Sequence, residues 1–424
     1  MSHLSLEVGD GVKELQPADV ALPATKAPGA QRPSTDYLFV SNVRFASMVA
    51  VVAIHCLVVS APLVGISSSG RLMRILTQPF RLGSIGFFLI SGFLMGEGLV
   101  RRGPLGYLER RLRTICGPWL FWYLLSCVLS FSIDAAFEGI NVDSGRSAVR
   151  LVFHTMYGGM FNSAYWFVPN LLLALCVLLL CRHYLYDLRL GLVLLTASLL
   201  YGVNIYTRWF ATVSHTQALF GFIFYLWLGA WAARNYAVIV AWMERVPLTA
   251  FIALAVLTFI AAVGEAELIT AMRLKGAMNS LRISNQIFAL ALALTIFKLP
   301  KAIWPRSMNV RKNTFGIYLT HWVFLVLLLN ALKMTGLKIA AGTSWGARSA
   351  IVTGILLGDF VLVYGCSFAT AKFLLRFPRL RWMVGAFPPD RVAAPAEPVS
   401  ETNSTAAFGT ALMRSSDPGV PVQD

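Results

Sequence analysis

Ten apolar runs alternate with short polar segments along this chain, near 39–61, 82–100, 115–133, 165–181, 189–205, 217–233, 247–264, 281–298, 314–331 and 350–373. Runs of this length, apolar on every face, are what a helix needs to cross the roughly 30 Å hydrocarbon core of a bilayer. In that medium each backbone amide has to be satisfied within its own segment. The pattern therefore predicts an all-α fold, a polytopic transmembrane helical bundle of about ten spans. An even number of spans puts both ends of the chain on one side. Residues 1–36 and 388–424 are rich in Pro, Ala and small polar residues and lack helical or strand period, so both are expected to be disordered tails around a membrane region at 37–387.

Composition agrees with this class. Of the 424 residues 57% are hydrophobic and 13% charged, against about 25% charged in soluble domains. The net charge of +16 would suit a nucleic-acid binder, but the basic residues sit in short segments between apolar runs, where they set orientation. On the alternating topology 23 Lys or Arg fall on the side of the termini and 12 on the other, with Arg44 inside the first span. That bias places both termini in the cytoplasm, and the partner is the bilayer rather than nucleic acid. Glu7, Asp10, Glu14 and Asp19 precede the first apolar run, so it is expected to be a retained span and not a cleaved signal. The six cysteines form no C-x-x-C pair, so neither a disulfide framework nor a metal site is indicated.

Chemistry enters where polar side chains interrupt the runs. Arg44 and His55 lie in the first span, eleven positions apart. Eleven helical steps make three turns plus roughly 20° and about 16 Å, so the two side chains share a face. An ionisable residue in a span is costly and marks a functional site by default. The structural alternatives are snorkelling for Arg44 and a single interhelical hydrogen bond for His55. The second run carries Gly92-x-x-x-Gly96 as a helix-contact face, with Ser91 beside it as a cavity-lining candidate, and Glu97 and Arg101 form an i, i+4 interfacial pair.

The segment that follows is basic, with Arg101, Arg102, Arg110, Arg111 and Arg113. It reads either as a topology signal or as a phosphate clamp, which Lys301, Arg306, Arg311 and Lys312 of a later segment on the same side could join. Tyr318 and His321, three apart, share a face of the ninth run as a second polar cluster or simply to make an interhelical hydrogen bond; His183 and His215 fall at run ends and are expected at the interface. No Gly-Lys-Ser/Thr phosphate loop is present.

Read in order, these stretches resemble the acyltransferase 3 family of integral membrane enzymes. The resemblance rests on Arg44-x10-His55, PhePheLeuIleSerGlyPheLeu at 87–94, the Arg-rich segment leading to Pro118-Trp119, TyrTrpPhe at 165–167 and PheGlyIleTyrLeuThrHis at 315–321. Its Arg segment is one residue longer than the family spacing. Stand-alone members such as rhizobial nodulation and exopolysaccharide O-acetyltransferases are similar. The resemblance implies a multi-pass protein of the cytoplasmic membrane that moves an acyl group from acyl-CoA, typically acetyl-CoA, to a hydroxyl of a saccharide or lipid-linked saccharide, with no tightly bound cofactor. His55 would be the base or the acyl-accepting group, Arg44 would hold the donor, Arg110, Arg111 and Arg113 would anchor its phosphates, and Ser91, Tyr318 and His321 would line the cavity. The connection at 134–164, with Asp134, Glu138, Asp143, Arg146, Arg150 and His154, would cover a polar acceptor or be a mobile loop. The competing reading is a transporter or exporter of a glycan or lipid, with Arg44 and His55 along its route; the lack of an internal repeat weighs against it. A third reading, acyl relay from a cytoplasmic donor to an outward-facing acceptor, fits basic segments and long connection on opposite faces.

Overall fold

The computed structural model describes residues 37–63, 67, 70–138, 145–211, 214–335 and 343–387, without the side chains of 63, 100–102, 133–138, 145–148 and 356. The stretches expected as tails lie outside these residues. Among the described residues there is no strand. The helices are α1 (Leu38–Leu63), α2 (Arg71–Thr77), α3 (Leu82–Arg102), α4 (Pro104–Glu138), α5 (Gly145–Phe161), α6 (Phe167–Leu180), α7 (Leu188–Thr207), α8 (Ile223–Arg234), α9 (Tyr236–Arg245), α10 (Leu248–Ala271), α11 (Ile283–Phe297), α12 (Val310–Thr335) and α13 (Trp345–Arg376).

All ten apolar runs fold as helix, so the all-α membrane bundle stands. Among the described residues seven helical segments are long and apolar enough to cross a membrane, and an eighth if α8 and α9, bent by 88° at their junction, count as one. Helices α6 and α11 have 14 and 15 residues, about 21–23 Å at the helical rise, which is short of the hydrocarbon core.

Two segments read as connections are helical instead. The basic segment forms the first turns of α4: Gly103, at φ 72°, ends α3, and Pro104 starts α4, as each residue type favours. The connection expected from about 134 to 164 is largely α5, fixed to α4 by Tyr123 Oη donating to the Met156 carbonyl (2.9 Å). Residues 139–144, with Asp143, lie outside the described residues, as do the side chains of Asp134, Glu138 and Arg146.

Helix α1 is the hub, packed against α3, α11, α12 and α13. On its far side α3 meets α8 at backbone distance. A Cβ on Gly92 would stand 1.9 Å from the Leu226 carbonyl oxygen, and one on Gly229 would stand 2.0 Å from that of Leu89. Gly96 faces Ala230 and Ala233 of α8, so the glycine pair is the contact face its spacing predicts.

One end of the bundle is tied together by polar side chains. Asn42 of α1 donates to the Lys301 carbonyl (3.1 Å) and accepts from the Ile303 amide (3.1 Å). Trp122 of α4 donates to the Met383 carbonyl (2.8 Å) beyond α13. These ties gather the Arg44 end of α1, the basic start of α4 and the Lys301–Lys312 segment at one end.

The contrast between glycines gives a direct check. Gly92→Ala, facing a carbonyl, is expected to cost about 1–3 kcal/mol through forced separation of α3 and α8. Gly264→Ala, in an exposed stretch of α10 with open space around it, is expected to be neutral or stabilising by up to about 1 kcal/mol. Thermal unfolding of the two variants in one detergent measures the difference, and equal melting temperatures would contradict the packing.

Candidate functional site

His55 lies three turns along α1 from Arg44, as the spacing requires, and faces α12. Its Nδ1 stands 3.3 Å from Nε2 of His321, with the rings stacked at 5.4 Å between centroids and an interplanar angle of 26°. Trp322 meets the His55 ring edge-on at 5.4 Å. His321 is fully buried, and its Nδ1 lies 2.6 Å from the Tyr318 carbonyl oxygen.

That carbonyl fixes the proton positions. A carbonyl oxygen only accepts, so Nδ1 of His321 carries the hydrogen and Nε2 of the neutral ring is a lone pair. His55 then donates from Nδ1, and its own Nε2 is left without a hydrogen. The result is a base whose lone pair is set by a partner, itself set by the backbone. His55 is partly exposed as a residue, although its neighbours Val51, Val52, Cys56 and Leu57 are buried.

The aromatic stretch at 165–167 holds this arrangement. Tyr318 Oη donates to the Ala164 carbonyl (2.7 Å), and Tyr165 Oη donates to the Leu319 carbonyl (3.0 Å). Two hydroxyls thus cross-link the start of α6 to α12 in both directions. Trp119 Nε1 adds a bond to the Tyr165 carbonyl (3.0 Å). From His321 the ring contacts continue through Tyr318 (6.0 Å), Phe167 (5.8 Å) and Trp166 (6.2 Å) to His215 (5.5 Å).

His215 turns inward from the connection between α7 and α8. It lies on a short 3-10 turn, His215–Gln217, which is anchored by Asn170 donating to the Thr216 carbonyl (3.1 Å). Burial first, and the Arg81 guanidinium second, push its ring from the ordinary 6.5 down to about 3, so it is neutral at physiological pH. His183, by contrast, is exposed as expected.

The remaining candidates divide. Arg44 is partly exposed on the face of His55, toward the basic end. The three arginines of α4 do not converge on one point. Arg110 and Arg113 are exposed, Arg113 lying 3.3 Å from Glu109 in a surface pair worth little. Arg111 turns inward, donating from Nε to Tyr107 Oη (2.9 Å), with its guanidinium 5.1 Å from that ring. Ser91 is partly exposed beside the glycine face of α3, and no described contact joins it to the histidines. The side chains of Arg101 and Arg102 lie outside the described residues.

A second polar group, absent from the reading of the sequence, fills the other half of the bundle. A continuous helical segment runs from Arg71 through α2, a 3-10 turn (Gln78–Arg81) and α3. It carries Arg74, Gln78 and Arg81 into the interior, and Arg282 joins them from the start of α11. Arg74 forms a two-bonded pair with Glu267 (3.0 and 2.7 Å). Arg282 bonds Gln78 Oε1 (2.8 Å) and the Ala262 carbonyl (2.5 Å) and lies 3.8 Å from Glu265. The signal was in the sequence: positions 74, 78 and 81 follow the i, i+4, i+7 spacing of one helix face. These three arginines are among the 12 basic residues counted outside, so the loop bias is wider than the raw count.

Residues 37–364 match a family model described as an acyltransferase domain. No curated protein and no solved structure gives a significant match.

The tyrosine cross-link predicts a separation of roles. Tyr165→Phe and Tyr318→Phe each strand a buried carbonyl and are expected to cost about 1–3 kcal/mol. Activity per folded molecule should stay within a few-fold of the wild type, as measured by thermal unfolding alongside turnover of the monodisperse fraction. A large loss of turnover with unchanged melting would contradict this assignment.

Proposed function

The chain belongs to this acyltransferase family, and on that footing we propose that it transfers an acyl group, most simply acetyl, from acyl-CoA to a saccharide hydroxyl at His55. The observation that carries the reading is the His55–His321 contact, backed by the Tyr318 carbonyl, which leaves Nε2 of the neutral His55 ring without a hydrogen. Acyl transfer from a thioester needs such a group. Nε2 takes the proton of the acceptor hydroxyl as its oxygen attacks the thioester carbonyl. The C–S bond then breaks, and the sulfur of coenzyme A leaves with the proton returned by the imidazolium. The same lone pair could instead take the acyl group first, as an acyl-imidazole that the hydroxyl then opens. In either order His321 stabilises the positive ring through the Nδ1 hydrogen bond.

The donor belongs at the basic end. Arg44, about 16 Å from His55 along α1, stands between that end and the base, and coenzyme A is long enough to bridge such a distance. Arg111, pre-oriented on Tyr107, suits a phosphate, because a guanidinium binds phosphate through paired N–H groups. Arg110 and Arg113 supply exposed positive charge at the entrance. The acceptor approaches from the aromatic side, where Trp322, partly exposed beside His55, offers a surface for a sugar ring. This arrangement suits a multi-pass protein of the cytoplasmic membrane that modifies an exported or lipid-linked saccharide.

Purified full-length protein in detergent, given labelled acetyl-CoA and a panel of saccharides, tests the reading. Label should move to sugar with no ion gradient present, an outcome that pure transport does not give. His55→Ala should lower the rate by about 10²–10⁴-fold with insertion and folding unchanged. Arg111→Ala should raise KM for acetyl-CoA more than it lowers kcat. Transfer by His55→Ala at near the wild-type rate would remove His55 from the mechanism.

A further inference from the structure

Three arginines enter the half of the bundle beyond His55, and the fold treats them differently. Arg74 has Glu267. Arg282 has Glu265 at 3.8 Å, besides neutral oxygens. Both carboxylates are fully engaged: Glu267 takes both bonds from Arg74. Glu265 accepts from Tyr206 Oη (2.7 Å), from the Ser284 hydroxyl and from the amides of Ile283 (3.2 Å) and Ser284 (3.1 Å).

Arg81 is 3% exposed, yet its described partners are all uncharged. One terminal nitrogen donates to the Met278 carbonyl, and the other reaches only Thr77 Oγ1 at 3.4 Å and the Met278 thioether at 3.2 Å. Its Nε has no partner. The poorly filled side of the guanidinium is therefore the edge formed by Nε and one terminal nitrogen. Carboxylates and phosphates commonly bind arginine along such an edge, through two parallel hydrogen bonds.

A buried cation without a counter-charge destabilises a fold, and in a membrane protein such a residue marks a ligand or ion path. Arg81 is placed for this. Its 3-10 turn packs against α1, the helix that carries His55. Close by is His215, which joins the dyad through the ring chain Trp166, Phe167, Tyr318 and His321.

We propose that the Nε edge of Arg81 is a subsite for an anionic group, a carboxylate or a phosphate, carried by the acceptor saccharide. The inference rests on the acyltransferase reading for the word acceptor, but the anion site stands on its own geometry. A substrate sugar bearing one negative group would seat that group on Arg81 and rest a ring face among the aromatics, leaving a hydroxyl to reach His55.

The test is equilibrium binding to the full-length protein in nanodiscs without donor, so that a failure of acyl transfer leaves it intact. The probes are two oligosaccharides of equal length, one ending in glucuronate and one in glucose, with inorganic phosphate as competitor. The wild type should bind the glucuronate probe at least about tenfold more tightly, the scale of one charge-assisted bond. Arg81→Gln should bring the ratio to about one, Arg81→Lys should keep part of it, and Gly264→Ala, far from any proposed role, should keep all of it. Phosphate that competes in the wild type but not in Arg81→Gln supports a site open to phosphate groups, and phosphate without effect supports one shaped for carboxylate. As a check that needs no variant, the glucuronate probe should raise the melting temperature of the wild type and the glucose probe should not. Equal affinity of the two probes for the wild type, or a ratio that survives Arg81→Gln, would overturn the proposal.

Discussion

A single hydrogen bond inside an apolar bundle governs this structure: Nδ1 of His55 to Nε2 of His321. Away from water an imidazole N–H left unmet is costly, and His55 has His321 across the bundle besides the Val51 carbonyl one turn back. His321 accepts that hydrogen only because its own Nδ1–H is committed to the Tyr318 carbonyl. Tyr318 is in turn locked by its hydroxyl to Ala164, and Tyr165 returns a bond to α12. The direction of one lone pair therefore depends on residues from α1, α12 and the start of α6.

The rest of the bundle is packed and charged unevenly around that point. Backbone contact between α3 and α8 through Gly92 and Gly229 draws those helices tightly together. Charges are sorted by end and depth. The basic start of α4, Arg44 and the Lys301 segment mark one end; the buried Arg74, Gln78, Arg81 and Arg282 group occupies the other half. A donor with phosphates and an acceptor with its own polar group could thus approach the histidines from different directions.

Much of this was legible in the sequence. The ten apolar runs, the shared face of Arg44 and His55, the Gly92–Gly96 contact and the Tyr318–His321 pairing all follow from spacing within one helix. The pairing of His55 with His321 was not legible, because 266 residues separate them and packing alone decides which helices meet. His215 and Arg282 were missed for the same reason. Arg74 and Arg81 differ: their helical spacing with Gln78 was visible, but an arginine near the end of an apolar run reads as a loop charge. The segment of Arg110 to Arg113 read as a loop because its charge hid the helix that Pro104 begins. Span counting from apolarity also treats α6 and α11 as equal to the longer helices, although they are too short to cross alone.

The orientation of His55 is the point on which the account turns, and nitrogen-15 solid-state NMR of histidine-labelled protein in lipid reads it directly. Near neutral pH the His55 ring should be neutral, with hydrogen on Nδ1 and a bare Nε2, and His321→Ala should replace this single form by a mixture of tautomers. A wild-type His55 that carries its hydrogen on Nε2, or that keeps one tautomer without His321, would contradict the account.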